Sequence, residues 1–266
     1  MPVNPLVMGV LNVTPDSFSD GGRFLDLDQA VAHGRELAAD GADIVDVGGE
    51  STRPGASPVD AAEECRRVVP VIEALAGSVR VSIDTTKAEV AEAAVAAGAT
   101  LVNDVSSSLA TVAAALGVGW VAMHRQGDPR TMQVDPHYVD VVADVRDQLV
   151  VAAEGARAAG VSEVWIDPGI GFGKTLAHNL ALLAHLDQLV ATGYPVVVGT
   201  SRKSSLGTLL ARSDGVDEVA VDDRLEASVA TATWAMAQGV AMVRAHDVAA
   251  TVHAAAVVAG QIESAA

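Results

Sequence analysis

The chain has 266 residues, of which half are hydrophobic, and its formal net charge is −17 at pH 7. This composition supplies a large apolar core and excludes a disordered chain, while the acidic balance argues against nucleic acid or an anionic membrane as the main partner. No apolar run reaches the roughly 18 residues that a membrane-spanning helix needs. The single cysteine, Cys65, and an N-terminus without a basic leader predict a protein of the reducing cytoplasm.

Eight short apolar segments alternate along the chain with alanine-rich segments of helical spacing. The predicted strands cover residues 7–11, 44–47, 79–83, 101–102, 120–123, 164–166, 196–198 and 241–243. Amphipathic helices are predicted between them, for example over residues 27–39, 61–75, 88–97, 139–159, 176–191 and 225–237. Short, apolar, unalternating strands are typical of a parallel sheet that is covered on both faces. Because no linker rich in proline, glycine or serine divides the chain, we predict one domain over residues 1–266.

Both an open doubly wound α/β sheet and a closed (β/α)8 barrel, the TIM barrel, fit this alternation. The count of eight strands favours the barrel, as does the lack of a Gly-x-Gly-x-x-Gly turn after the first strand. The stronger reason is that polar residues follow nearly every strand, since only a barrel brings all of the strand ends to one mouth. These residues are Asn12, Asp46, Glu50, Asp84, Asn103, Asp104, His124, Asp167, Ser201, Arg202, Lys203, Arg244 and His246.

Residues 164–174, VWIDPGIGFGK, predict a buried strand that ends in Asp167 and continues into a glycine-rich loop. The alternative is that Asp167 caps the next helix. An anionic substrate needs cations gathered locally, and the chain has only three lysines, Lys87, Lys174 and Lys203. For Lys87 and Lys174, a solvated loop or helix start is expected at least as readily as a place in a site.

Two further loops, residues 12–22 (NVTPDSFSDGG) and 48–55 (GGESTRPG), are too polar and too rich in turn residues to form core. Together with SIDTTK, NDVS, MH, DPGIGFGK, GTSRKS and VRAHDV, they resemble the dihydropteroate synthase family over essentially the whole chain. That family joins 6-hydroxymethyl-7,8-dihydropterin diphosphate to p-aminobenzoate and releases pyrophosphate. Eight motifs in the right order at successive strand ends are a specific signal, although each motif alone is weak.

The resemblance implies a pterin site, an aryl site and a diphosphate site. The implied pterin residues are Asp84, Asn103, Val105, Met123, Asp167, Gly171, Lys203 and Arg244. The implied p-aminobenzoate residues are Phe18, Thr52, Arg53, Pro54, Phe172, Lys203 and Ser204. The implied diphosphate residues are Asn12, Arg53, Arg244 and His246, with Asn12 also a ligand of Mg²⁺. The implied catalytic residues are Asp20, Lys203, Arg244 and His246.

The residue types suit this chemistry on physical grounds. A pterin presents a flat edge of ring N–H, amino and carbonyl groups, and each one left unpaired on burial costs roughly 1–3 kcal/mol. Asp84 and Asp167 offer acceptors, and Asn103 offers both an acceptor and a donor. The alternative for each carboxylate is a helix cap or an ion pair. Such a structural role is favoured for Asn103 taken singly, but not for all three residues together. The resemblance further implies that the bond to diphosphate breaks before the amine attacks, with Asp20 stabilising the resulting cation.

The resemblance also implies a homodimer that sulfonamides inhibit. The chain departs from the family pattern at three places: Ser107 and Ser108 replace Gly-Gly, Ser205 replaces a bulky residue, and Ala227–Ser228 replaces Gly-Thr. No functional consequence is expected of the last change.

Three other functions remain open at this point. A methyltetrahydrofolate:corrinoid methyltransferase shares the Asp…Asn…Asp set but needs no diphosphate clamp, against which Arg202, Lys203, Ser204, Arg244 and His246 argue. A paralogue that binds pterin without catalysis is disfavoured by the intact Asn12, Asp20, Lys203 and Arg244. A barrel lyase is more distant, because no strand carries a lysine suited to a Schiff base.

Overall fold

The computed structural model describes residues 4–14, 22–50, 59–128 and 131–260 of the chain. Within these ranges, eight strands alternate with ten α-helices. The strands are β1 (Leu6–Asn12), β2 (Ile44–Gly48), β3 (Arg80–Asp84), β4 (Leu101–Asp104), β5 (Gly119–Met123), β6 (Val164–Asp167), β7 (Val197–Val198) and β8 (Met242–Ala245). The helices are α1 (Gly22–Ala39), α2 (Ala61–Leu75), α3 (Ala88–Ala96), α4 (Ala110–Leu116), α5 (Val141–Ala158), α6 (Leu176–Ala184), α7 (Leu186–Val190), α8 (Ser204–Asp214), α9 (Leu225–Ala237) and α10 (Val248–Val258). None of the described helices is long and apolar enough to cross a membrane.

The strands form one parallel sheet in the order β6-β5-β4-β3-β2-β1-β8-β7. Its two edges meet at a β-bridge between Ile166 and Val196, and the Ile166 amide donates to the Pro195 carbonyl over 3.0 Å. This contact closes the sheet into a barrel, with the helices packed around its outside. The predicted (β/α)8 fold is therefore confirmed.

Two predicted helices differ in their bounds from those observed. The sequence predicts one helix over residues 176–191, but the chain divides it into α6 and α7 at His185, whose φ of −124° lies outside the helical range. The sequence predicts another helix from residue 139, whereas α5 begins at Val141. The reason is that the Asp140 carboxylate accepts two backbone N–H bonds from the first turn and so caps the helix.

The inside of the barrel is filled by an apolar layer below the mouth. The layer consists of Met8, Ile44, Leu101, Val121, Trp165, Val197 and Met242. At the N-terminal end of the barrel, Arg80 pairs with both carboxylate oxygens of Glu163, at 3.0 and 2.7 Å, and the Trp165 indole N–H donates to the same carboxylate. This end is closed by packed and hydrogen-bonded side chains, so the C-terminal mouth is the end that is available to ligands.

The loop between β4 and α4 holds Ser107 in a left-handed backbone conformation, with φ of 53°. This conformation costs a residue other than glycine about 1–2 kcal/mol. The Ser107 hydroxyl donates to the Met123 carbonyl over 2.9 Å and ties the loop to the end of β5. Serine at a position where the resembled family has glycine thus combines backbone strain with a compensating hydrogen bond.

We expect Ser107→Gly and Ser107→Ala to differ in stability. The glycine variant loses both the strain and the hydrogen bond, and these two effects oppose each other. Its free energy of unfolding should therefore stay within about 0.5 kcal/mol of the wild-type value. Alanine keeps the strain and loses the bond, which costs about 1 kcal/mol. Urea unfolding measures both, with the exposed Ser108→Ala in the same loop as the control. Equal stabilities of the glycine and alanine variants would contradict this account.

Candidate active site

The polar residues at the mouth stand directly above the apolar layer. Side chains two residues apart on a strand point to the same face, so the residue two positions after an interior apolar side chain also points inward. The pairs are Ile44 and Asp46, Leu101 and Asn103, Trp165 and Asp167, and Met242 and Arg244. The strand register also aligns Asp84 with Asn103 and Asn12 with Gly48. The pleat of the strands therefore directs the predicted polar set towards one mouth.

The Arg244 guanidinium joins several of these side chains into one network. Its Nε donates to Asp46 Oδ2 over 2.6 Å, and its Nη2 donates to Asp84 Oδ2 over 2.9 Å. Asn103 Nδ2 donates to the same Asp46 oxygen over 2.9 Å. The second oxygens of both carboxylates, Asp46 Oδ1 and Asp84 Oδ1, are buried without a hydrogen-bond partner among the described residues. Because each such oxygen costs about 1–3 kcal/mol, the mouth is suited to a ligand that brings N–H donors.

The other side of the mouth is formed by the glycine-rich loop after β6 and the turn after β7. Asp167 Oδ1 accepts from the Gly169 amide over 2.7 Å, so this carboxylate turns back on its own loop and does not cap α6. The Lys203 ammonium donates to the Ile170 carbonyl and lies 4.7 Å from the centre of the Phe172 ring. The lysine therefore lies beside the loop that carries both Gly171 and Phe172.

Burial changes the protonation of three groups at the mouth. It raises the pKa of Asp84 to about 7, against the opposing effect of Arg244 and with a further rise from Asp46. Burial also raises the pKa of Asp167, opposed by Lys203, and lowers the pKa of Lys203 to about 8, opposed by Asp167. Since Asp84, Asp167, Lys203 and Arg244 act on one another in this way, they share one electrostatic environment at a single mouth.

Two glycines allow the β6 loop to lie against the main chain that follows β5. Both have positive φ, and a Cβ at Gly169 would lie 1.8 Å from the His124 carbonyl oxygen. A Cβ at Gly173 would lie 2.3 Å from the Gln126 carbonyl oxygen. Any other residue would push the two loops apart, so the glycines of the DPGIGFGK segment are required for packing.

A turn held by several side chains presents Lys203. Arg202, with φ of 58°, pairs through two nitrogens with Asp247, at 2.6 and 3.1 Å. The Arg202 amide donates to Ser228 Oγ over 3.0 Å, and the buried Arg224 donates to the Arg202 carbonyl over 3.0 Å. Arg202 is thus engaged by Asp247 and by α9. Ser228, of which no functional consequence was expected, stabilises the turn that carries the lysine.

Three further predicted residues border the mouth. Asn12 is half-buried at the end of β1. A Cβ added at Gly48 would lie 3.8 Å from Asn12 Oδ1 and 3.5 Å from Asp84 Cβ, so both side chains lie beside this glycine. Val105 and Met123 are buried at the ends of β4 and β5. Their positions fit apolar walls beside the polar network.

Two predicted residues lie at the edges of this arrangement. Ser204 is exposed as the first residue of α8. His246 follows β8, and both its amide and its Nδ1 lie 3.1 Å from Ser201 Oγ. The remaining predicted residues, Phe18, Asp20, Thr52, Arg53 and Pro54, lie outside the described residues.

Sequence reasoning missed two groups that shape this region. Asp46 was recognised as a strand-end residue but was not assigned to the site, although its spacing from Ile44 was a usable signal. Lys87 does stand at a helix start, as the N-cap residue of α3, but neither Lys87 nor Lys174 is solvated as the alternative expected. Lys174 is only 3% exposed, and Lys87 is half-buried in ion pairs of 2.5 Å with both Glu50 and Glu64. The sequence carries no signal for the contacts of Lys87, because Glu50 and Glu64 are distant in the chain, and those of Lys174 depend on the path of its own loop and on the distant His124.

Comparison with known proteins agrees with this geometry. Residues 8–246 match the family of pterin binding enzymes. The dihydropteroate synthase of Mycobacterium leprae is 51% identical over an alignment of 261 residues that covers 95% of this chain and 92% of that protein. The structure of Xanthomonas albilineans dihydropteroate synthase with 4-aminobenzoic acid is 47% identical, with a TM-score of 0.89 and coverage of 98% of this chain and 94% of that one. The structure of Yersinia pestis dihydropteroate synthase in complex with a sulfonamide drug is 45% identical, with a TM-score of 0.88 and coverage of 97% and 94%.

The barrel and its polar mouth, together with the family match, define a pterin-binding enzyme. Within that class, the chain belongs to the dihydropteroate synthase family, which the motifs at the strand ends had indicated. It is accordingly a transferase.

We expect Asp46→Ala to lower the free energy of unfolding by about 3 kcal/mol, because Arg244 and Asn103 lose a buried partner. Urea denaturation at pH 7.5 measures the change. The control is Asp43→Ala, which removes one hydrogen bond to the Val7 amide at an exposed position and should cost about 1 kcal/mol. Equal losses in the two variants would show that the Asp46 network contributes no more than an ordinary hydrogen bond.

Proposed function

We propose that the chain condenses 6-hydroxymethyl-7,8-dihydropterin diphosphate with p-aminobenzoate, giving 7,8-dihydropteroate and pyrophosphate for folate biosynthesis. The observation that supports this most directly is the convergence of Asp46, Asp84, Asn103 and Arg244 at one mouth, with buried carboxylate oxygens that lack donors within the described residues. The 4-aminobenzoic acid in the similar Xanthomonas albilineans structure supports the second substrate.

The pterin binds with its flat polar edge towards Asp84, Asn103 and Asp167. Asp84 Oδ1 accepts from an amino or ring N–H group of the pterin, which satisfies an oxygen that is otherwise buried and unpaired. Lys203 meets the carbonyl or N5 side of the ring, and Arg244, fixed by Asp46 and Asp84, lies against its face. Val105, Met123 and Gly171 complete the pocket.

The aryl amine binds at the outer side of the mouth. Phe172 and Lys203 lie together there, 4.7 Å apart from ring centre to ammonium, and form an apolar and cationic wall for a planar aryl carboxylate. Ser204, exposed at the start of α8, donates to the aryl carboxylate. By family resemblance, Phe18, Thr52, Arg53 and Pro54 complete this subsite, and sulfonamides compete for it, as the Yersinia pestis complex suggests.

The diphosphate end suits Mg²⁺ that is carried in with the substrate. Among the described residues, no group of three His, Cys, Asp or Glu side chains is placed to hold a metal. Asn12 supplies a single amide oxygen at the mouth, and Mg²⁺ commonly keeps its waters and takes one or two protein oxygens together with substrate phosphates. The donor set therefore fits. Asn12 would hold the ion, which would supply positive charge to neutralise the diphosphate.

The reaction proceeds by departure of diphosphate before attack by the amine. The C–O bond breaks with its electron pair going to the diphosphate, and the electron-rich dihydropterin stabilises the methylene cation that remains. Arg53, Arg244 and His246 neutralise the leaving group, while Asp20 provides a negative charge near the cation. Lys203 and Phe172 hold the aryl amine for attack, so no covalent enzyme intermediate is required. We further propose that the enzyme is a cytoplasmic homodimer, as its family implies.

Pyrophosphate release tests this function. With pterin diphosphate, p-aminobenzoate and Mg²⁺, the purified protein should release pyrophosphate and form dihydropteroate, and chelation of Mg²⁺ should suppress both. Lys203→Met should lower kcat/KM by about a hundredfold, because it removes a cation from the mouth. The control is Arg157→Met, which removes an exposed cation that lies over the Tyr194 ring on the outer surface. Methyl transfer from methyltetrahydrofolate to a cobamide, with no pyrophosphate released, would support the methyltransferase instead.

Pterin affinity should increase with pH in the neutral range. The pKa of Asp84 is raised to about 7, so the carboxylate that accepts pterin N–H groups forms only as the pH rises through that value. Calorimetric titration of 6-hydroxymethylpterin should therefore show a fall of Kd by up to about tenfold between about pH 5.5 and 7.5. Asp84→Asn, which cannot ionise, should bind more weakly and with a Kd that is independent of pH in this range. A wild-type Kd that is flat over the same range would exclude Asp84 as the titrating acceptor.

A further inference from the structure

Lys174 is a buried lysine that the proposed reaction does not use. Its ammonium lies 2.9 Å from His124 Nδ1 and 3.1 Å from each of the Gly169 and Phe172 carbonyl oxygens. The side chain is 3% exposed and lies over the face of Tyr138, 6.0 Å from the ring centre. The His124 carbonyl, at 3.4 Å, is a fourth acceptor, so each of the three N–H bonds of the ammonium group has a partner.

His124 is in the form that this contact requires. Burial, and then the charge of Lys174, lower the pKa of His124 to about 3, so the ring is neutral at physiological pH. A neutral ring accepts through one nitrogen, and the contact assigns that role to Nδ1 and the proton to Nε2. Burial, opposed by Asp167, lowers the pKa of Lys174 to about 7, so the protonated lysine predominates below neutral pH. In that form the pair is an ammonium donor and an imidazole acceptor.

The contacts of Lys174 determine the path of the loop over residues 168–173. The ammonium holds carbonyls at two points of this loop, Gly169 and Phe172, and anchors them to the end of β5 through His124. Between these two points lies the Ile170 carbonyl, which accepts from Lys203. Phe172, at the second point, faces the same Lys203 ammonium. The loop therefore connects Lys174, which is buried behind it, to Lys203, which lies in front of it.

From this geometry we infer that Lys174 is a positioning residue for the aryl subsite. It fixes the loop so that the Ile170 carbonyl and the Phe172 ring hold Lys203 where p-aminobenzoate binds. The inference rests on the proposed function for the identity of that ligand. Lys174 itself is buried behind the loop and acts on the substrate only through Phe172 and Lys203.

The pterin side of the mouth shares Gly171, Lys203 and the loop-bonded Asp167 with this loop, but its other polar residues are held by the strands. Asp46, Asp84, Asn103 and Arg244 stand on β2, β3, β4 and β8 and bond to one another. A change at Lys174 should therefore separate the two substrates in a kinetic measurement, which a general loss of stability would not do.

The first test compares Lys174→Met with the wild type in steady-state kinetics. The KM for p-aminobenzoate should rise about tenfold or more, while the KM for pterin diphosphate should change by less than about threefold. The matched control is Tyr138→Phe, which removes one hydroxyl bond of 2.8 Å to the Gly173 carbonyl at the end of the same loop and keeps the ring. It should leave both KM values within about twofold. If Lys174→Met does not fold, Lys174→Gln, which keeps two donors, should show the same separation at a smaller size.

The second test is the crystal structure of the variant, which does not depend on the identity of the substrate. The Ile170 carbonyl should move out of hydrogen-bond distance of Lys203 Nζ, and Phe172 should shift by about 1 Å or more. A loop that keeps its wild-type path, or equal increases in both KM values, would overturn the inference. Should the wild type make no dihydropteroate, the proposed function fails, while the position of the loop still decides the role of Lys174.

Discussion

The ion pairs of Arg244 with Asp46 and Asp84 are the interaction on which the mouth of the barrel depends. In the sheet order, β1 lies between β8 and β2, so the Arg244 side chain reaches past β1 to carboxylates on β2 and β3. A buried charge network of this kind is costly unless its members are paired, and here the guanidinium is shared by two acids. The network thereby fixes three strand ends relative to one another.

The same network resolves the conflict between an acidic protein and an anionic substrate. The whole chain carries a net charge of −17, but the mouth combines the cations Lys203 and Arg244 with Asp46, Asp84 and Asp167, and Lys174 lies behind its β6 loop. The net charge at the mouth therefore differs from that of the whole chain. The raised pKa of Asp84 makes the mouth less negative still near neutral pH. The net charge disfavours extended anionic partners, but it is compatible with a small phosphorylated one.

How far the site follows from the sequence depends on which part of the chain carries each residue. Asp84, Asn103, Asp167 and Arg244 end apolar strands, and the alternation of side chains along a strand is enough to direct them into the barrel. Asp46 follows the same rule, so its place at the mouth could have been predicted from the sequence. The burial of Lys174 could not be predicted from this rule, because its partners include main-chain carbonyls whose direction is set by the left-handed glycines of the loop. The engagement of Arg202 by Asp247 was likewise hidden, since it requires the turn after β7 to meet the start of α10.

This difference divides the mouth into two halves with different physical origins. The half made by strand ends is held by the hydrogen bonds of the sheet and by pairs between side chains, so its geometry is a consequence of the fold itself. The half made by the β6 loop and the β7 turn has no such ladder, and it is held by side chains that bond to main-chain atoms: Lys174 at Gly169, Asn179 at Gly171, and Ser228 at Arg202. Each of these bonds fixes the main chain at one point. A single substitution in the loop half should therefore move fewer residues than a single substitution in the strand half. Recognition of the rigid heterocycle then belongs to the strands, and adjustment of the reacting partner belongs to the loops.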